Sequence, residues 1–139
     1  MKEYTYTVSL EELDSVVAEF LEHFKNGVVI LKGDLAAGKT TFVKTVAKLK
    51  QICEDVTSPT FSLQQCYGDD TYHYDIYNHG LDHFASLGMM EELEKPGLHF
   101  IEWGNDELEK ILDAAGFDVA TIEIEKISDD KREYTICIR

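Results

Sequence analysis

Arginine and proline are nearly missing from this chain. There are two of each, and both arginines, Arg132 and Arg139, lie at its C-terminal end. With only two prolines and nine glycines in 139 residues, collagenous and low-complexity architectures are excluded. No apolar run approaches the roughly 18 residues of a membrane span. The opening Met1-Lys2-Glu3-Tyr4-Thr5-Tyr6 lacks the apolar stretch of a secretory signal. The three cysteines, Cys53, Cys66 and Cys137, are odd in number and far apart, with no Cys-x-x-Cys. Reduced thiols, a cytoplasmic location and no membrane association are therefore expected.

Basic charge is also scarce, and it is unevenly placed. The formal net charge is −14; residues 1–31 contribute −4, residues 51–139 contribute −14, and only residues 32–50 are positive, at +4. An acidic chain with one basic segment is a poor stand-alone binder of DNA or RNA, because phosphate contacts need Lys and Arg. The segment can still attract a small polyanion locally.

Hydrophobic residues make up 44%, enough for a packed core in one domain spanning residues 1–139. Tyr4, Tyr6 and Val8 alternate with polar residues as a first strand. Ser9-Leu10-Glu11-Glu12 reads as a capping box opening a helix through Phe24, which Asn26-Gly27 is expected to close. Val28–Leu31 is a continuous apolar run, as in a strand buried on both faces. A helix follows from about Lys39 to Lys50, with Phe42, Val43, Val46, Ala47 and Leu49 facing inward. A hairpin is expected over 61–67 and 71–77, a helix over 81–93, and a second buried strand over 98–101 ending at Glu102. An amphipathic helix over 106–115 closed by Gly116 and a terminal hairpin over 119–127 and 133–139 complete the chain. The pattern predicts an α/β protein of three layers with a mixed parallel/antiparallel central sheet.

Gly33-Asp34-Leu35-Ala36-Ala37-Gly38-Lys39-Thr40 fits G-x-x-x-x-G-K-[ST] between an apolar strand and an amphipathic helix. Glycine at 33 and 38 permits positive φ and close backbone approach, and the amides of residues 36–41 can then cradle phosphates. The helix that begins at Lys39 adds its N-terminal amides and dipole. Lys39 reaches the terminal phosphates, and the Thr40 hydroxyl is placed to ligate Mg²⁺. The cofactor-binding set is thus Gly33, Ala36, Ala37, Gly38, Lys39, Thr40 and Thr41, in a P-loop NTPase fold. The lysines around this loop explain the basic segment.

Such a loop needs a carboxylate for Mg²⁺ and the attacking water, delivered from the end of a neighbouring strand. Glu102 follows an apolar strand directly and is the first choice, with Thr40 as the second metal ligand. Asp75 is the other candidate; it alternates with His73 and Tyr77 on one face of its strand, a face that alone reads equally as a solvated edge. His73, His79 and His83 with Asp75 and Cys66 make a weak zinc pattern, since Gly80 interrupts the helical spacing and no thiolate pair supports it. Ser58-Pro59-Thr60-Phe61 says only that a loop enters a strand.

The arginine shortage narrows the chemistry. Phosphate-loop kinases of small molecules clamp two sets of phosphates with several arginines; the shortage counts against that reading, which is kept as the alternative. The chain has no Asn/Thr-Lys-x-Asp guanine segment, which favours ATP over GTP. No arginine is near the loop in sequence, so slow hydrolysis alone and stimulation by a partner are expected.

Gly33–Thr41, Ser58–Phe61, His73-Tyr74-Asp75-Ile76-Tyr77 and Ile101-Glu102-Trp103 occur in the order and at the separations of one family. Over nearly its whole length the chain resembles the TsaE (YjeE) family, small bacterial ATPases of tRNA threonylcarbamoyladenosine biosynthesis. The resemblance implies a single phosphate-loop domain binding ATP and Mg²⁺ and associating with the TsaB and TsaD proteins. Those proteins modify adenosine 37 of tRNAs reading codons that begin with A, so tRNA is met only indirectly, and ATP hydrolysis resets the transfer complex. Carried over by position, Lys39, Asp75 and Glu102 are the catalytic residues, and Thr40 and Glu102 the magnesium ligands. Ser58–Phe61 would be a switch-like loop near the γ-phosphate. The chain departs from the family pattern at Ala36, Asn78 and Gly104, where glycine, arginine and proline are usual.

Overall fold

A computed structural model describes residues 2–33, 38–51, 64–68, 70–75, 88–102 and 106–138. Among them the strands are β1 (Lys2–Val8), β2 (Gly27–Lys32), β3 (Gln64–Tyr67), β4 (Thr71–Asp75), β5 (Leu98–Glu102), β6 (Val119–Lys126) and β7 (Arg132–Ile138). The helices are α1 (Leu13–His23), α2 (Lys39–Leu49), α3 (Met89–Glu92) and α4 (Asp106–Ala114). One seven-stranded sheet runs in the order β1-β7-β6-β2-β5-β4-β3. The middle is parallel: β2 lies between β6 and β5, and β4 continues on the far side of β5. Antiparallel strands finish both edges, β7 and β1 on one side and β3 on the other. The sheet is mixed, as expected from the sequence.

Val28, Val29, Ile30 and Leu31 are all fully buried, the signature of a strand covered on both faces. Alternate residues of the sheet feed two cores. Val29, Leu31, Leu98, Phe100, Ala120 and Ile122 pack with α1 and α2. Val28, Ile30, Tyr74, Ile101 and Val119 pack with Leu108 and Leu112 of α4. These are the three layers. Phe42 is the hinge pin of the first core, in ring contact with Phe20 of α1 (5.9 Å), Phe100 of β5 (6.5 Å) and Tyr134 of β7 (6.1 Å). Its burial removes an entire aromatic side chain from water, a stabilisation of about 1.5–3 kcal/mol, and it lies two residues beyond Thr40. The start of α2 is therefore held against α1, β5 and β7.

Several local expectations need amendment. Ser9 and Glu12 do close on each other, with Glu12 Oε1 accepting from both the amide and the hydroxyl of Ser9 at 3.0 Å. They frame a 3₁₀ turn, Leu10–Glu12, which runs on into α1. Gly27 does not cap α1, which ends at His23 with Phe24 already extended. Gly27 opens β2 at φ 134°, and a Cβ there would meet Asp118 O at 2.6 Å and Phe24 Cζ at 2.7 Å. Its role is close packing. Leu49, expected inward, is 36% exposed. Of the helix expected over 81–93, the turn α3 is seen and residues 81–87 lie outside the described residues, as do 61–63 and 76–77 of the hairpin. Gly116 closes α4 as expected, at φ 89°, with Phe117 N–H donating to Leu112 O at 3.0 Å.

Candidate functional site

The site forms at the C-terminal ends of β2, β5 and β4, where parallel strands open toward the N-terminus of α2. This is the place where open α/β sheets hold ligands. Residues 34–37, including Ala36 and Ala37, lie outside the described residues; the loop's two glycines frame them. Gly33 has φ 152° and Gly38 φ 112°. At Gly38 an added Cβ would meet nothing within 4 Å, so glycine is required there by the backbone alone. Phe42 N–H donates to Gly38 O at 3.0 Å, starting α2 with the amides of the preceding residues pointing out of its end.

Lys39 is only 5% exposed, and its Nζ donates to Gly33 O at 2.5 Å. The ammonium thus lies folded across the mouth of the loop, and its three N–H groups allow it to serve phosphate oxygens as well. Thr41 is half-buried, and its carbonyl accepts from the Thr45 hydroxyl at 2.9 Å.

Glu102 is the last residue of β5, 4% exposed, paired in register with Leu31 of β2 on one side and Asp75 of β4 on the other. The Thr40 hydroxyl donates to Glu102 Oε2 at 3.3 Å, across 62 residues of sequence. A hydroxyl and a carboxylate this close, at the N-terminus of a helix, form a hard-oxygen donor pair. That donor set suits Mg²⁺, which takes one or two protein oxygens and completes its shell with water and phosphate. Asp75 sits at the register position beside Glu102; its side chain lies outside the described residues, as do Ser58–Phe61, Trp103, Asn78 and Gly104.

Two features were not legible as site chemistry. His73 is fully buried, not on a solvated edge, and its Nε2 donates to Glu102 Oε2 at 2.5 Å. It pairs in register with Phe100, which makes Glu102 its diagonal neighbour on the same face. Of the residues in the zinc pattern, His73 makes this bond, and His79, His83 and the side chain of Asp75 lie outside the described residues. Arg132, remote from the loop in sequence, lines the same cavity of about 510 Å³ as Gly38 and Thr41, together with Leu10, Glu11 and Asp129. Sheet topology explains this, since β7 returns along β6, the neighbour of β2. Arg132 Nη1 donates to Ser128 O at 3.0 Å.

The basic segment does not simply surround the loop. Lys48 pairs with Asp14 at 2.7 Å, Lys50 with Asp70 at 2.8 Å and Lys32 with Glu109 at 3.6 Å. Lys48 and Lys50 sit at the far end of α2, roughly 13–16 Å from Lys39 at 1.5 Å per residue. They fasten α2 to α1 and to the β3–β4 turn.

The sequence model of the family described as "Threonylcarbamoyl adenosine biosynthesis protein TsaE" matches residues 7–134. A protein of Treponema pallidum, "tRNA threonylcarbamoyladenosine biosynthesis protein TsaE", is 38% identical over 125 residues, covering 88% of each chain. The protein of that name from Bacillus subtilis is 35% identical over 133 residues, covering 93% of this chain and 81% of its own. The crystal structure of Bacillus subtilis YdiB superposes with a TM-score of 0.72 at 29% identity, covering 97% of this chain and 84% of that one.

Proposed function

The chain belongs to the TsaE family of threonylcarbamoyladenosine biosynthesis, and from that premise we propose that it is a single-domain, Mg²⁺-dependent ATPase serving this modification of tRNA. The supporting observation is the meeting of Thr40 and Glu102 at the mouth of the glycine loop, with Lys39 folded over it. Gly33, Ala36, Ala37, Gly38 and Thr41 supply the phosphate cradle, and Lys39 neutralises charge on the terminal phosphates. Thr40 and Glu102 hold Mg²⁺, which when bound offsets phosphate charge; Asp75 orients the attacking water.

The cavity beside Gly38 and Thr41 carries three carboxylates, Glu11, Asp129 and Asp130, against one guanidinium. Such walls repel phosphates and suit the N–H and O–H donors of a base and ribose. They set the nucleotide's polarity: phosphates on the loop, adenosine toward the β6–β7 turn. Leu10, 68% exposed, supplies apolar surface for the base.

Arg132 is the one arginine among the described residues, and its guanidinium is engaged by hairpin carbonyls. The intrinsic rate is therefore low. The partners that raise it are TsaB and TsaD, and the ATP cycle resets their transfer complex. The same poverty of arginine disfavours phosphorylation of a small molecule. An ATPase assay of the chain alone and with TsaB and TsaD tests this reading: a partner-dependent rise supports it, and an unchanged rate overturns the coupling.

A further inference from the structure

The buried histidine beside the candidate metal carboxylate has no part in the reading above. His73 is fully enclosed, and its ring lies 6.3 Å from that of Tyr67. A buried imidazole placed only for packing would leave its nitrogens facing apolar surface at a cost. Here one nitrogen faces the site. Nε2 and the Thr40 hydroxyl converge on the same oxygen, Oε2 of Glu102, at 2.5 and 3.3 Å. A carboxylate accepts only, so the ring hydrogen sits on Nε2. Nδ1 has no partner among the described residues. The molecule tolerates that orphan to gain the bond to Glu102. Among the described residues, the two hydrogen bonds to Glu102 both fall on Oε2.

We propose that His73 is a positioning residue for the metal site. Its Nε2–H pins one oxygen of Glu102 and fixes the carboxylate plane, so that the other oxygen is kept for a divalent cation at the phosphate cradle. The inference rests on the nucleotide–Mg²⁺ reading above. It assigns His73 no contact with nucleotide and no proton transfer. Groups that orient metal ligands in this way typically change metal affinity by about 10- to 100-fold when removed.

The test uses three variants of the full chain and two readouts besides turnover. Binding of a fluorescent ADP analogue in EDTA reports the cradle without metal. Mn²⁺ binding to the ADP complex, followed by electron paramagnetic resonance, reports the cation site. His73→Leu fills the space and removes the donor. It should bind the analogue in EDTA with wild-type affinity and lose about tenfold or more in Mn²⁺ affinity. His73→Gln places an amide N–H where Nε2 stands and should restore Mn²⁺ affinity to within about threefold of wild type. His73→Asn is one methylene too short to reach Oε2 and should behave like His73→Leu. A folded His73→Leu with unchanged Mn²⁺ affinity would overturn the proposal. If His73→Leu does not fold, the glutamine and asparagine variants decide: tighter Mn²⁺ binding by the glutamine variant supports positioning, and equal affinities or the reverse order reject it. Absence of analogue binding by the wild type would instead reject the nucleotide reading itself.

Discussion

Replacing Glu102 separates its structural role from its charge. In Glu102→Ala the His73 N–H loses its acceptor inside a fully buried ring, and the Thr40 hydroxyl loses its bond as well. With Nδ1 already without a partner among the described residues, both ring nitrogens are then orphaned. A buried donor stripped of its partner costs about 1–3 kcal/mol. The Thr40 bond, long and next to the loop mouth, adds about 0.5 kcal/mol at most. For a domain of this size a loss of about 2 kcal/mol lowers Tm by about 6–10 °C. Glu102→Gln keeps a carbonyl oxygen for His73 and Thr40, so its Tm should fall by less than about 3 °C. Both variants lack the carboxylate, so both should lose Mg²⁺-dependent turnover alike while binding nucleotide in EDTA. Calorimetric melts and a phosphate-release assay read the two axes. Equal melting of alanine variant and wild type would refute the buried bond; metal-dependent turnover in the glutamine variant would refute the ligand assignment.

Gly38→Ala meets no neighbour but forces a non-glycine residue to φ 112°; a loss of about 1–2 kcal/mol in urea denaturation, with weaker nucleotide binding, is expected. Thr40→Ala leaves His73 on Glu102, so stability should stay within about 1 kcal/mol of wild type while Mn²⁺ affinity of the ADP complex falls. His99 gives a pH signature. Burial pushes its pKa below the usual 6.5, against the pull of its bond to the Lys95 carbonyl. Nε2–H donates to Lys95 O at 2.8 Å and Nδ1 accepts from the Tyr74 hydroxyl at 2.7 Å, so the native ring is held neutral. Below pH 6.5 the unfolded chain takes up a proton that the folded chain refuses. Stability should therefore fall as pH drops through 6.5, by no more than about 1.4 kcal/mol per unit from this group. His99→Gln should flatten that component in denaturation series run between pH 7.5 and 5.5.

The parts of this molecule that local pattern encodes were readable. The apolar run of β2, the glycine spacing beyond it and the apolar run of β5 ending in a carboxylate placed the loop and Glu102 on neighbouring strand ends. What pattern cannot carry is register between strands and which face of a strand is covered. His73 alternates with Tyr72 and Tyr74 in a way that fits a wet edge; only the diagonal pairing of β4 with β5 turns it toward Glu102. Arg132 comes to the cavity because β7 folds back along β6, a relation between residues far apart in sequence. Gly27 follows an amphipathic helix and so resembles a cap, yet its reason is the backbone of Asp118 packed against it.

Gly33–Thr41 is proposed to close around the phosphates of ATP with Lys39 above them. Isothermal titration of ATP and Mg²⁺ into the wild-type chain and into Lys39→Ala decides the matter. Saturable one-to-one binding by the wild type, weakened at least about tenfold in the variant, is the expected result. Equal affinity in the two proteins, or no heat from the wild type, would contradict it.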